Sequence, residues 1–438
     1  MPLKIIVVGA GIAGLIAAIA LRQAGHEVEI FEKSAFATEI GAALIISPNG
    51  ARVLSTLGFS FSNARAVLMD QWSVFRGDTM TTMANVDMRA AKERFGAEAW
   101  AVHRVDLHNE LLRLAKGGEG DGWGAPVKLH LGCEVVDAEA QGSIVVKGGE
   151  RYTADLVVAA DGLKSAVKGV VTGNLEKPTP TGLSAFRFLV DTEVLRGDAE
   201  LEKTLAVKGS GASLLADVRE TKKERHMMWY ACRDGETQNF VGIHPSRDVE
   251  GDDAEAVKAS MLEEFSTFSP GVLEIIRRSS AVKCWPLFVH SPLLTWYNNR
   301  VVLIGDSAHP MLPFGGQGAN SAIEDGGTLG YVFRDVADAS KVPERLELFQ
   351  RARQARAARV QILSSVRAGK EQEVEEELRK WSDPPGSSKS ILHRITVDSD
   401  LWVGLMCCDA EVPTNMMERT GHDYSFDVFR KCDEVLAA

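Results

Sequence analysis

Gly9-x-Gly11-x-x-Gly14 follows a run of Ile and Val at residues 4–8 and opens an Ala- and Leu-rich stretch at 12–24. The chemistry of that spacing is phosphate binding. Gly9 permits a tight turn, Gly11 lets a pyrophosphate approach free backbone N–H groups at a helix N-terminus, and Gly14 allows close packing of helix on strand. Glu32 closes a second apolar run 18 residues after Gly14, near the ~20 at which an acid takes a ribose hydroxyl. Together these features read as a dinucleotide site; the bland alternative is a structural turn with Glu32 solvated. Two further carboxylates each follow a buried-type run: Asp161 in Asp161-Gly162-Leu163-Lys164-Ser165, and Asp306 in Gly305-Asp306-Ser307-Ala308-His309-Pro310. Strand ends of that kind are where ligands of parallel sheets lie. Arg187 stands alone among Ala185, Phe186, Phe188 and Leu189. A guanidinium stays charged and can hold a phenolate or carboxylate through two parallel bonds; the alternative is an edge-strand charge.

Strands and helices must bring these residues together. Residues 4–8, 28–31, 156–160 and 300–304 have the continuous apolar texture of parallel strands buried on both faces. Ser47-Pro48 predicts a helix start, N-cap then Pro in the first turn, and Gly58 a stop. A strand is expected at 71–76, a helix over 105–114 from the stripe of Leu107, Leu111, Leu112 and Leu114, and a Gly-rich surface loop at 117–124. From 180 to 245 the short alternating segments 184–190, 227–232 and 240–244 predict an antiparallel sheet, with an amphipathic helix over 254–265. A loop with Pro310, Pro313, Gly315, Gly316 and Gly318 then precedes helices from 319 and over 343–365. Arg351, Arg353, Arg356 and Arg359 are expected to form a solvated face pairing with Glu344 and Glu347. Residues 382–390 read as a linker. The interleaving predicts an α/β fold. A Rossmann-like nucleotide-binding domain comes in two pieces, 1–178 and 281–365, with an antiparallel-sheet substrate domain inserted at 179–280 and a C-terminal helical or capping segment at 366–438.

Composition excludes several classes. At 438 residues, 45% hydrophobic and 25% charged, the chain is an ordinary globular protein and not a disordered one. Sixty acidic against 49 basic residues give −11, and with no long basic run nucleic acid is excluded as a partner. Cys133, Cys232, Cys284, Cys407, Cys408 and Cys432 form no Cys-x-x-Cys pair. They are expected as reduced thiols of a cytoplasmic protein, with no metal site. The charge-free run 5–21 is short for a membrane span and broken by glycines, and the apolar run 401–408 is shorter still, so no span is expected.

The Gly9–Gly14 fingerprint with Glu32, Asp161-Gly162 and Gly305-Asp306, in this order and spacing over residues 3–365, resembles the FAD-dependent aromatic hydroxylases, the single-component flavoprotein monooxygenases. Within them the chain is most similar to salicylate-hydroxylase-like enzymes and fungal secondary-metabolite members. The resemblance implies FAD as cofactor, NADPH or NADH as co-substrate, and O2. It also implies a small electron-rich aromatic substrate, phenolic or indole-type, oxygenated through a flavin C4a-hydroperoxide. It implies that Glu32 binds the adenosine ribose, and that Gly41-Ala42-Ala43 passes close to the cofactor, with Ala43 where relatives often carry Gly. Arg104 would contact the FAD, Asp161 support the pyrophosphate region, and Asp306 bond a ribityl hydroxyl. Gly316, Gly318, Ala319 and Asn320 would turn backbone N–H groups to the pyrimidine end of the flavin, where a helix N-terminus stabilises an anion. Arg187 would point at the flavin and the substrate oxygen. Lys168 stands where the family usually has Arg. Some fungal relatives pair the Arg equivalent to Arg187 with a Tyr about thirty residues further along; here Asp217 stands 30 residues after Arg187, and Tyr230 is the nearest tyrosine. His309 is expected as a packed loop histidine, and the segment from Trp229 to Gly242 as pocket sheet. With one fingerprint only, the nicotinamide is expected to bind without a Rossmann domain of its own, in a monomer or homodimer. Two rivals stand beside this reading. A flavin halogenase carries a Trp-x-Trp-x-Ile-Pro stretch that Cys284-Trp285-Pro286 does not match. A non-catalytic escort-type protein on the same fold has no need of the flavin loop and Asp306.

Overall fold

The computed structural model describes residues 1–35, 42–118, 123–173, 178–220, 222–247, 253–382 and 412–438. Gly41, the middle of the 117–124 loop, residues 383–390 of the linker and the run 401–408 with Cys407 and Cys408 lie outside them. One sheet has, in spatial order, Tyr297–Asn298, Val301–Leu303, Leu156–Ala159, Lys4–Val8, Glu27–Glu32 and Lys128–Leu131. All neighbours are parallel except the first pair. Its three central strands are buried almost throughout, which is why they are runs of Ile, Val and Leu without alternation.

Helices Ile12–Gln23 and Gly318–Phe333 lie against each other through glycine. A Cβ on Gly326 would sit 2.5 Å from Ile16 Cγ2 and 2.7 Å from the Ala17 nitrogen, and one on Gly330 would sit 2.6 Å from Ala20 Cβ. The contacts advance together along both chains, so the helices run parallel and their N-termini share one end. Helix Arg104–Lys116 covers the predicted 105–114 stripe, and Pro48–Thr56 begins after Ser47 and ends before Gly58 in the left-handed region, φ +77°. Ser47 makes no capping bond; its hydroxyl accepts instead from Gln317 and Asn320.

The second sheet has seven strands: Lys283–Val289, Thr179–Asp191, Thr237–Pro245, His226–Cys232, Ala212–Ala216, Gln71–Arg76 and Thr82–Asp87. It is antiparallel except where Ala212–Ala216 meets Gln71–Arg76. The sheet therefore draws strands from the first 178 residues and from beyond 280 as well as from the segment between. A half-buried strand such as 71–76 carries no sign of which sheet it joins. Phe186, Phe188, Val190, Met227, Trp229 and Phe240 pack beneath helices Ala254–Glu264 and Pro270–Arg278. Side chains of the opposite parity face the nucleotide-binding domain.

The arginine face on helix Val342–Leu363 is a correction. Only Arg351 is exposed; Arg353, Arg356 and Arg359 are buried. Arg353 pairs with Glu324 at 2.6 Å and Asp325 at 2.9 Å, Arg356 with Glu324 and Asp423 at 3.5 Å each. Arg359 donates to His422 and to the Trp381 carbonyl. Their partners come from elements distant in sequence, whereas Glu344 pairs with Lys341. The described C-terminal residues form helices Met416–Tyr424 and Val428–Ala437, and Val428, Cys432 and Val435 enter the main core. Among the described residues no helix is long and apolar enough to cross a membrane.

Two consequences can be measured. Gly326→Ala overpacks the helix contact and is expected to cost about 1–3 kcal/mol, read as a lowered thermal midpoint. His422 is buried, and desolvation, with the Arg356 charge adding and Asp423 opposing, pulls its pKa from 6.5 to about 4. The folded state then binds fewer protons than the unfolded one between these values. That stability is complete above pH 6.5 and is lost as the pH falls toward 4. Denaturant midpoints should fall across that window, and His422→Gln should reduce the slope.

Candidate active site

The glycine turn sits at the C-terminal ends of the central parallel strands. Gly9 has φ +97°, and a Cβ there would lie 2.6 Å from the Ala160 carbonyl oxygen; its N–H donates to Phe31 O at 2.8 Å. A Cβ on Gly14 would lie 2.0 Å from Gly9 O, whereas one on Gly11 would meet nothing within 4 Å. Two of the glycines are thus demanded by packing, and the middle one borders open space at the helix N-terminus. Glu32 accepts from the N–H groups of Ala10 at 2.8 Å and Ser34 at 2.7 Å, which ties the second strand's end to the turn. Asp161 adjoins the same turn; its Oδ2 accepts from Ala166 N–H at 2.8 Å, and its buried Oδ1 has no partner. Burial raises its pKa, against bonds from Ser165 and Ala166. Lys168 is buried on the short helix Lys168–Thr172 that follows.

Gly305 packs on helix Ile12–Gln23, 2.8 Å separating its notional Cβ from Ala13 Cβ. Its N–H donates to Asp325 Oδ2 at 2.9 Å, and that oxygen also bonds His309 Nε2 at 2.5 Å, while Arg353 holds Oδ1. His309 is thus a packed loop histidine, 1% exposed. Asp306 is an exposed residue, yet desolvation dominates its raised pKa, with His309 and Arg104 opposing. A group both accessible and walled by protein is what the edge of a ligand cleft presents. Gly316, at φ +63°, turns the chain into helix Gly318–Phe333, whose first-turn N–H groups at Gly318, Ala319 and Asn320 have no intrahelical acceptor. The Asn320 side chain is committed elsewhere: Oδ1 accepts from Ser47 N–H, and Nδ2 donates to the carbonyls of Ile45 and Gly316.

The second sheet closes the cleft. Phe186 and Phe188 are 0% and 4% exposed in its helix-backed core, so Arg187 points the other way. Ala185, Val241 and Ile243 form an apolar patch on that face, joined by Met228, Leu287 and Phe314 from the loop before Gly316. Burial lowers the Arg187 pKa; the Tyr230 phenol works against this and Arg104 with it. No carboxylate pairs with Arg187 among the described residues, and its buried Nε has no acceptor. Tyr230 donates to Ala43 O at 2.9 Å, and Asn239 Oδ1 accepts from Ala43 N–H at 3.0 Å, while Arg104 N–H donates to Ala42 O. The strand Ala43–Ile46 is therefore clamped by the substrate sheet. Asp217 lies elsewhere, paired with Arg225 at 2.7 Å.

The structure links several of the expected residues: Gly9 adjoins Asp161, Glu32 bonds the turn at Ala10, the Arg104 charge acts on both Asp306 and Arg187, and Ala43 is held by Tyr230 and Asn239. The sequence reading missed Asp325 and Phe314, took Arg353 for a solvated charge, and read Asn239 only as part of the pocket sheet; all four act through contacts with residues distant in the chain. Asn239 had one legible sign: it has the opposite parity to the core residue Phe240.

Residues 3–363 match the FAD binding domain family. The chain is 33% identical to an FAD-dependent monooxygenase of Diaporthe leptostromiformis over 351 residues, 77% of this chain and 85% of that protein. It is also 33% identical to hispidin-3-hydroxylase of Neonothopanus nambi over 365 residues, 81% and 86% of the two chains. The solved structure of a salicylate hydroxylase substrate complex shares the fold, with a TM-score of 0.71 at 23% identity over 99% of this chain and 98% of that one. The cleft fits FAD on its own terms: open space at Gly11, an unpartnered Asp161 oxygen, an accessible Asp306 and two converging helix N-termini. Gly11→Val fills space that the fold leaves free. It should fold with a near-normal thermal midpoint and emerge from gel filtration with most of its flavin absorbance lost.

Proposed function

The chain belongs to the FAD binding domain family and is an FAD-dependent monooxygenase, and on that premise we propose that it inserts one oxygen atom of O2 into an electron-rich aromatic ring. The substrate is phenolic or indole-type, the electrons come from NADH or NADPH, and the setting is fungal secondary metabolism, in the cytoplasm, as a monomer or homodimer. FAD, when bound, supplies the two-electron redox chemistry and the activation of O2. The glycine turn and helix 12–23 hold its pyrophosphate, Glu32 its adenosine ribose, Asp161 and Arg104 its middle, and Asp306 its ribityl chain. The first-turn N–H groups of Gly318, Ala319 and Asn320 would take its pyrimidine end; the Gly316 N–H, expected to join them, donates instead to the Pro313 carbonyl, and Gly316 serves the turn. A helix N-terminus there favours the negative charge of a reduced ring. No second fingerprint is present, so the nicotinamide binds transiently in the open cleft.

Arg187 carries the reading: a guanidinium partly out of water, without a counter-ion among the described residues, on the apolar face of the substrate sheet. Water exclusion by Val241, Met228, Leu287 and Phe314 strengthens its pull on an anionic ring oxygen or a departing hydroxide. The names of the two curated relatives, a monooxygenase and a hydroxylase of hispidin, support the same chemistry. The test is NAD(P)H oxidation by the flavin-loaded protein against phenolic acids and indoles, with product mass measured. A gain of one oxygen atom supports the proposal; stoichiometric peroxide release with every aromatic offered rejects it. Arg187→Ala should keep its flavin but lose coupling, with the ratio of oxygenated product to NAD(P)H consumed falling about tenfold or more. Arg187→Lys should recover little of it, because the planar fork is gone.

A further inference from the structure

Strand parity and register place Asn239 beside Arg187. Phe240 is buried in the helix-backed core, so Asn239 and Val241 project from the other face. Val241 lies opposite Arg187 and Asn239 opposite Leu189, which makes Asn239 the diagonal neighbour of Arg187, about 7–8 Å away between Cα atoms. Asn239 is 1% exposed. Its amide orientation is set by chemistry: the atom facing the Ala43 N–H must be the oxygen, because a donor faces it. Nδ2 is thereby turned away from Ala43, buried and without an acceptor among the described residues. Arg187 Nε is in the same condition. Tyr230, opposite Asn239 on the next strand, has its hydroxyl hydrogen engaged by Ala43 O.

We propose that Asn239 is a substrate-binding residue that works with Arg187, the two forming a donor-only site for an acceptor oxygen, phenolate or carboxylate, on the aromatic ring. The inference rests on the monooxygenase reading for the identity of the ring. A buried donor without an acceptor destabilises the empty pocket, and an incoming oxygen relieves that. A site of donors alone favours an acceptor and opposes a group that can only donate. Because Oδ1 is held by the backbone of Ala43, the same side chain fixes the substrate oxygen relative to the strand that borders the cofactor. Asn239 thus sets where the ring lies as well as whether it binds.

The probes are benzoate and benzamidine, equal in shape, one carrying only acceptors and the other only donors. Each is titrated into the flavin-loaded protein and followed by the flavin difference spectrum. Benzoate is expected to bind and benzamidine not. Asn239→Asp keeps an oxygen for Ala43 but replaces the second donor by an acceptor; benzoate should bind about tenfold more weakly or worse, at unchanged flavin content. If that variant does not load flavin, Asn239→Ser, which keeps a short oxygen, takes its place with the same expectation. The proposal is overturned if benzamidine binds as well as benzoate, if benzoate gives no spectral change with the native protein, or if the flavin-loaded variant binds benzoate as tightly as the native protein. Intact benzoate selectivity with no oxygenated product from any aromatic would sink the monooxygenase reading and leave Asn239 standing.

Discussion

The close approach of helices Ile12–Gln23 and Gly318–Phe333 is the constraint on which the site depends. Gly326 and Gly330 let one backbone lie on the other where any side chain would collide with Ile16, Ala17 or Ala20. Because the helices run parallel, two positive dipole ends meet at the C-terminal edge of one sheet, one beside the Gly9 turn and one beside Gly316. An extended cofactor with charge at two places finds both held at a fixed separation. Gly305 repeats the device against Ala13, and so seats Asp306 between them.

Behind this edge lies a buried ionic layer. Arg353, fully buried, meets Glu324 and Asp325, and Asp325 in turn holds the Gly305 N–H and His309. Each charge is compensated by hydrogen bonds as well as by an opposite charge, the condition under which burial of ions is tolerated. The result is a rigid rear wall for the loop that carries Asp306. On the front, Tyr230 and Asn239 fix Ala43 through its carbonyl and its N–H. The cofactor groove is therefore held from both sides before any ligand arrives.

Much of this was legible in the sequence, because the strongest signals are local. The unbroken apolar runs became the central parallel strands, Ser47-Pro48 and Gly58 bounded their helix, and the parity of Phe186 and Phe188 turned Arg187 toward the cleft. What was hidden is what depends on distant partners. Arg353 and Arg356 look like surface charges until Glu324 and Asp423 are brought to them. Gln71–Arg76 gives no local sign that it joins Ala212–Ala216. Asn239 acquires a role only once Ala43 lies beside it, 196 positions away.

The chain passes from one sheet to the other four times. Residues 71–87 leave the nucleotide-binding part for the substrate sheet and return, and 179–289 do so again. Such stitching means that neither half is encoded by a continuous stretch of chain. Neither could be excised, transplanted or released whole by a single proteolytic cut. Assembly must wait for pairings such as that of Gln71–Arg76 with Ala212–Ala216, whose loop-closure cost slows folding. In return, the surface that selects the substrate and the one that grips the cofactor cannot drift apart as separate bodies on a tether.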